Sequence, residues 1–278
     1  LYKDLPLIID KSKKMGFRIS IITNLNFIDS EAALFKAFGL VDNLYVSIDA
    51  ASKKTYEYIR RLANWSLFVS NLKKLGQFCS GQNVISRFAI QKKNISEIAK
   101  FIDFINGFGF FKEVIFDPVN LKSAKGGYKT VVWSYRDALL CKSQLNLARK
   151  RAKSYGIKCK QYLTAGYIDK NIGLLSEGEY PNFLDSCFRD LYDNRLPDNN
   201  PCNFIESNLF ISPKRQVYPC SGAYRVNKLM LGDLSKKNLE EIWSSNLTIR
   251  LKKRLGEGLR SDVCRNGCCT FEGQVDEV

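Results

Sequence analysis

Among its 278 residues the sequence has no histidine at all. That absence removes Ser-His-Asp and Cys-His nucleophilic centres and any catalytic zinc held by imidazole. Long apolar runs are missing too: none approaches the roughly 18 residues that a membrane-spanning helix needs. The opening stretch, LYKDLPLIIDKSKK, has neither a starting methionine nor the layout of a signal peptide. We therefore read the sequence as beginning inside a longer, cytoplasmic protein. No glycine-rich fingerprint follows any strand-like segment, which leaves no support for a Rossmann or P-loop nucleotide site. Prolines are few, at seven, and 45% of residues are hydrophobic. That balance describes a globular chain, sized for one large domain or a core domain with a smaller appendage.

Charge and cysteine are present in quantity. Lysine and arginine outnumber the acids by 43 to 28, a net charge of +15. The lysines are scattered along successive helical segments, as in KSKK, NLKKL and RLKKRL. We read them as solvated helix faces, since no long basic block or RNA-binding signature occurs. Neither nucleic acid nor membrane is an expected partner. Nine cysteines form an odd set in a chain too large to depend on disulfides, so reduced thiols in the cytoplasm are the expectation.

The first half alternates. FRISIIT, NLYVSID, NVISRFAI and KEVIFDP are short apolar, β-branched segments. Between and around them lie segments of helical period. Leu5, Ile8 and Met15 would share one face of a first helix stopped by Gly16. Phe68, Leu72 and Leu75 mark another helix. Ile98, Phe101, Ile102 and Ile105 mark a third, with Asn94 or Ser96 as N-cap. The segment from Ser134 to Gly156 gives a longer one. Strand, helix, strand, helix repeated means parallel strands with crossover connections. Such sheets place their chemistry at the carboxyl ends of the strands. Those ends carry Thr23 and Asn24, then Ser47 and Asp49, then Arg87 and Gln91. Any one of them could simply start a turn; the repetition points to a site. Residues 161–201 are turn-rich and read as a connector.

In the last third, Cys202 and Cys220 bracket a hairpin pattern, NLFIS and QVYP around the turn PKR. Cys264, Cys268 and Cys269 crowd into SDVCRNGCC. Two cysteines from a hairpin and two from a knuckle can gather four thiolates around zinc or an iron–sulfur cluster. From spacing alone zinc is the commoner occupant, and buried thiols or a disulfide are the alternatives. Cys79, Cys141 and Cys159 fall on helix or strand patterns and read as core. Cys187 is close enough to join or replace a ligand.

These features resemble a known family. Cys202, the QVYPC hairpin ending in Cys220, LGDLSKKNLEEIW with Gly232 and Trp243, and CRNGCC are similar, in order, to the SPASM/twitch auxiliary-cluster domain of radical SAM enzymes. KKMGFRISIITNL, VDNLYVSIDAASKKTYEYIR and RFAIQKKNISEIAKFIDF resemble the third, fourth and fifth strands of the radical SAM core. The resemblance implies an α/β fold: a partial parallel (β/α) barrel without its first two strands over residues 1–160, keeping strands three to six. The connector and a small Cys-rich SPASM-like domain, 202–278, would follow. It also implies S-adenosylmethionine as cofactor. Thr23 and Asn24 would lie near its methionine part, Ser47 and Asp49 would face its ribose, and Arg87 its carboxylate. Cys202, Cys220, Cys264 and Cys268, with Cys269 as alternative to Cys268, would hold one auxiliary 4Fe–4S cluster in place of zinc.

The parent enzyme would form a 5′-deoxyadenosyl radical and abstract hydrogen from a peptide, sugar or other substrate. A flavodoxin or ferredoxin would supply its electrons. The family's CxxxCxxC loop, which holds the second, reducing 4Fe–4S cluster, is absent from these residues. Truncation is the simplest account, and the chain alone would be inert. The alternatives are a basic zinc-knuckle module binding nucleic acid and a non-catalytic scaffold.

Overall fold

A computed structural model describes residues 4–26, 32–79, 83–118, 134–161, 202, 204–225, 227, 229–259 and 276–277. The chain divides into two compact units, Leu1–Phe183 with Gln274–Val278, and Leu184–Gly273.

In the first unit five parallel strands stand side by side in chain order. They are β1 (Ser20–Thr23), β2 (Asn43–Ser47), β3 (Asn83–Ile90), β4 (Phe111–Pro118) and β5 (Lys158–Gln161). A short terminal strand, β9 (Asp276–Glu277), returns to pair antiparallel with β5. Helices α1 (Leu5–Lys14), α2 (Ala32–Phe38), α3 (Lys53–Ile59), α4 (Trp65–Gly76), α5 (Ile98–Asn106) and α6 (Tyr135–Ser154) precede and connect the strands. Parallel strands in sequential order, joined by crossovers of one hand, put every connecting helix on the same face of the sheet. This is the winding of a (β/α) barrel segment.

The two faces differ accordingly. Leu44, Val46 and Ile48 from β2 and just beyond it, Val84, Phe88 and Ile90 from β3, and Val114 and Phe116 from β4 are wholly buried under the helices. Phe101 of α5 lies 4.7 Å from Phe88, ring centroid to centroid. The expected helix faces are borne out at Phe68, Leu72 and Leu75, and at Ile98, Phe101, Ile102 and Ile105, all fully buried. The opposite face carries Tyr45, Ser47 and Asp49, then Ile85, Arg87 and Ala89, then Glu113, Ile115 and Asp117, aligned across the strands by register.

Several expectations change. Helix α1 buries Ile9, 1% exposed, whereas Ile8 is 47% and Met15 73% exposed. The run LPLII is apolar on every side, so spacing alone could not choose its face. Gly16, at φ +81°, does end the helix as expected. Asp42, ahead of β2, fastens this corner: it accepts from the Ile19 amide at 2.6 Å and from Lys13 at 3.0 Å. Those contacts, the amide first, hold its carboxyl below the usual range. Asn94 does not cap a helix through its side chain. Cys141 and Cys159 are buried as expected, and burial pushes the Cys159 thiol up to about 11, far from any reactive thiolate. Cys79, just past α4, is only half-buried.

The second unit contains α7 (Phe204–Ser207), the hairpin β6 (Phe210–Ile211) and β7 (Gln216–Tyr218), α8 (Ser221–Arg225), β8 (Gly232–Asp233), α9 (Leu239–Trp243) and α10 (Asn246–Gly256). The hairpin has the expected turn, with Phe210 opposite Tyr218, and β8 adds a third antiparallel strand beside β7.

The α1 register is open to a direct check. Ile9→Ala should cost about 2–5 kcal/mol, and Ile8→Ala less than about 0.5 kcal/mol, in urea unfolding midpoints. Equal losses would contradict the packing described.

Candidate functional site

In a parallel sheet the backbone ladder runs out at the carboxyl edge, and side chains must satisfy what it leaves. At the ends of β2 and β3 this task falls to Asn94, which is fully buried. Its amide nitrogen donates to the Asp49 and Ala89 carbonyls, both at 2.9 Å, and its oxygen accepts from the Gln91 amide at 2.7 Å. Glu97 does the same for the following turn. It accepts from the Ala51 amide at 2.7 Å, the Ser52 hydroxyl at 2.6 Å and the Thr55 hydroxyl at 2.5 Å. Ser52 meanwhile caps α3.

Asp49 is part of this framework. One carboxylate oxygen accepts from the Ala89 amide at 2.9 Å, and the other meets Arg60 at 2.7 Å. One strand further on, Arg87 donates from Nε to Asp117 at 2.8 Å. Ala89 lies in register with Asp117 and gives its amide to Asp49, two residues past β2, so Ala89 stands between the two acids. Burial pushes the Asp117 carboxyl above the usual range; the Arg87 bond and charge oppose that, and Asp49 adds to it. Lower on the same face Glu113 pairs with Lys160 at 3.0 Å. Such a face, carrying charged pairs and the half-buried Ser47 and Arg87, can hold a polar ligand.

Thr23 and Asn24 are engaged locally. Thr23 accepts from the Leu25 amide at 3.1 Å, and Asn24 from the Asn26 amide at 3.0 Å. By register Thr23 shares the helix-covered face with Val46. Leu25 between these turns sits at φ +52° although fully buried. Its carbonyl accepts from Asn71 at 2.8 Å, a contact that helps hold a conformation unfavourable to a branched residue. Of the five cofactor residues expected from sequence, Ser47, Asp49 and Arg87 come together on one face, while Thr23 and Asn24 build the turn beyond β1. Asn94, Glu97, Arg60 and Asp117 were not singled out as site residues. Only their partners, distant in sequence, reveal what they do.

In the second unit Cys220 follows β7 after one residue, Pro219. Its sulfur accepts from the Ala223 amide at 3.4 Å, and it packs beside Tyr218 and Ala223 with Phe210 and Leu229. The Cys202 amide donates to the Leu255 carbonyl at 2.8 Å in the last turn of α10. That contact ties the start of the cysteine segment to the helix that leads toward Cys264. Gly232 is there for space: a β-carbon would lie 2.7 Å from Cγ1 of the fully buried Ile242. Lys252 stands 3.2 Å over the Trp243 ring. Cys187, Cys264, Cys268 and Cys269 lie outside the described residues. Among the described residues no group of three potential metal ligands converges, and no helix is long and apolar enough to cross a membrane.

Residues 202–270 match the SPASM family, described as an iron-sulfur cluster-binding domain. That stretch takes in Cys202, Cys220, Cys264, Cys268 and Cys269. No curated protein matches the sequence. Among solved structures, SuiB of Streptococcus suis covers 96% of this chain at 14% identity with a TM-score of 0.57. It has also been solved bound to S-adenosylmethionine and to precursor peptide SuiA. Native anSMEcpe with bound AdoMet covers 91% at 14% identity with a TM-score of 0.52. The chain therefore carries a SPASM domain and has the fold of SPASM-bearing radical SAM enzymes. It spans 60% of the length of SuiB and 64% of that of anSMEcpe.

Two substitutions test these assignments. Asn94→Ala leaves two carbonyls and an amide unpaired and should cost about 3 kcal/mol in chemical unfolding. Gly232→Ala should cost about 1–3 kcal/mol through overpacking against Ile242, read as a lowered melting temperature.

Proposed function

We propose that this protein is part of a radical SAM enzyme whose SPASM domain holds one auxiliary 4Fe–4S cluster, and that it modifies a peptide by hydrogen-atom abstraction. The observation that carries the reading is the SPASM match across all five C-terminal cysteines, joined to the fold shared with structures solved with S-adenosylmethionine. Peptide is the substrate class favoured, because SuiB was solved with a precursor peptide and anSMEcpe with the Kp18Cys peptide.

The donor set suits an iron–sulfur cluster. Cys202, Cys220, Cys264 and Cys268, with Cys269 as the alternative to Cys268, offer sulfur ligands in a chain without imidazole. The Ala223 amide directed at the Cys220 sulfur is the kind of hydrogen bond that stabilises thiolate charge. On the sheet face, Ser47 is the hydroxyl for a ribose and Arg87 the cation for a carboxylate. Asp49, with both oxygens engaged, shapes the edge between them. S-adenosylmethionine, held beside Ser47 and Arg87, would supply the radical chemistry for hydrogen-atom abstraction. The part of these residues is to hold and orient the cofactor beside the sheet edge.

Anaerobic purification with iron, sulfide and zinc assays tests the reading on wild type and Cys220→Ala. About four irons and four sulfides per chain, with brown colour reduced in the variant, is the expected result. Colourless protein with about one zinc per chain would replace the radical-enzyme reading with a zinc-knuckle binding module.

A further inference from the structure

Helix α6 packs on α5 and β5 through an inner face of Ala138, Cys141, Leu145, Ala148 and Ala152, all buried. Its outer face is apolar as well. Leu139, Leu140 and Leu147 are 38%, 41% and 39% exposed. At 3.6 residues per turn Leu140 and Leu147 stand in line two turns apart, with Leu139 and Ser143 alongside. A single exposed leucine needs no explanation, but a stripe of them along one helix marks a contact surface. Beside it runs a space of about 520 Å³ whose described lining is Leu139, Lys142, Ser143, Asn146, Leu147 and Lys150.

Charge says what kind of partner fits. Helix α6 carries Arg136, Lys142, Arg149, Lys150, Arg151 and Lys153 against one acid, Asp137. That acid closes the capping box with Ser134 and pairs with Lys92 at 3.2 Å. Arg151 is turned to Asp103 of α5, while Lys142 and Lys150 flank the leucines. A partner that covers these leucines must also match the lysines beside them, so its apolar residues need carboxylates at their flanks. From Leu139 to Lys150 the stripe is about 16 Å long, the footprint of a few turns of a single helix. A bilayer surface would call for a broader apolar face with aromatic anchors, and the lining has no aromatic residue.

We propose that the outer face of α6 is a docking site for an acidic amphipathic helix of a partner protein. The partner's apolar side chains would cover Leu139, Leu140 and Leu147, and its carboxylates would meet Lys142 and Lys150, as in helix-in-groove recognition. The proposal uses no residue of the carboxyl edge and stands apart from the cofactor reading.

Fluorescence anisotropy tests it with a short labelled peptide that has leucines along one helical face and glutamates on its flanks. A scrambled peptide of the same composition is the control for net charge. Wild type should bind the ordered peptide about tenfold more tightly than the scrambled one, the scale of burying one leucine, and more weakly as salt rises. Leu147→Asp and Lys150→Glu, both exposed and with near-ultraviolet circular dichroism confirming the fold, should each erase that preference. Equal affinity of wild type for both peptides would reduce the surface to diffuse positive charge and overturn the site. A preference that survives both substitutions would place the contact elsewhere and overturn it too. Wild type that shows no peptide preference but is captured by phosphatidylserine vesicles, with capture lost in Leu147→Asp, would assign the face to a membrane instead.

Discussion

The hydrogen bonds of Asn94 hold the carboxyl edge of the sheet in the first unit together. Where β2 and β3 end, the carbonyls of Asp49 and Ala89 and the amide of Gln91 converge on one side chain that is fully enclosed. Buried backbone groups of this kind are costly when unpaired, so the edge has one arrangement in which its polar groups are matched. Asp49 adds the Ala89 amide and Glu97 the Ala51 amide. Strand ends that would otherwise fray become a fixed rim, and the residues standing on it acquire fixed directions.

This division of labour separates scaffold from contact. A Ser-x-Asp pair at a strand end suggests two ligands for one cofactor group. In the folded chain the acid is absorbed into the rim and into the Arg60 pair, while Ser47, two residues earlier on the same face, stays half-buried. The same split recurs one strand over, with Asp117 more buried than the Arg87 it holds. In each case the carboxylate lies inside and the group that could meet a ligand lies beside it. At Asp117 burial works against the charged carboxylate, and each acid meets a guanidinium.

Periodicity made the long helices and the first four strands of the sheet legible. The run through Ile98, Phe101, Ile102 and Ile105 can bury its apolar face in only one way. Some shorter elements were not legible. Strand β5 is KCKQ, with one apolar residue in four and no alternation to read, and its pairing with β4 decides its conformation. Helix α3 opens with two lysines after Ser52 and buries only Tyr56. Asn94 looked like a helix cap because Asx residues often are. Besides the nearby Ala89 and Gln91 it holds Asp49, 45 residues away, a distance no local pattern spans. The C-terminal domain was legible for the opposite reason: cysteine, hairpin and glycine occur in a fixed order, order survives in sequence, and residues 202–270 match the SPASM family.

Gly232 shows why that order carries physical information. Strand β8 lies against α9 so closely that a single methyl group would collide with Ile242, which packs with Val217 and Leu231 in one small core. Val217 belongs to β7, three residues before Cys220. Leu251, on α10, packs against the same core, and four residues later Leu255 receives the Cys202 amide. The glycine thus closes a core from which two of the cysteine-bearing segments emerge. A domain this small has little apolar area with which to hold its loops. Thiolates bound to a common metal centre would add the cross-links it lacks, as in other small metal-dependent domains. A tight core fixes where the first sulfurs begin, and the chemistry of sulfur is left to join them.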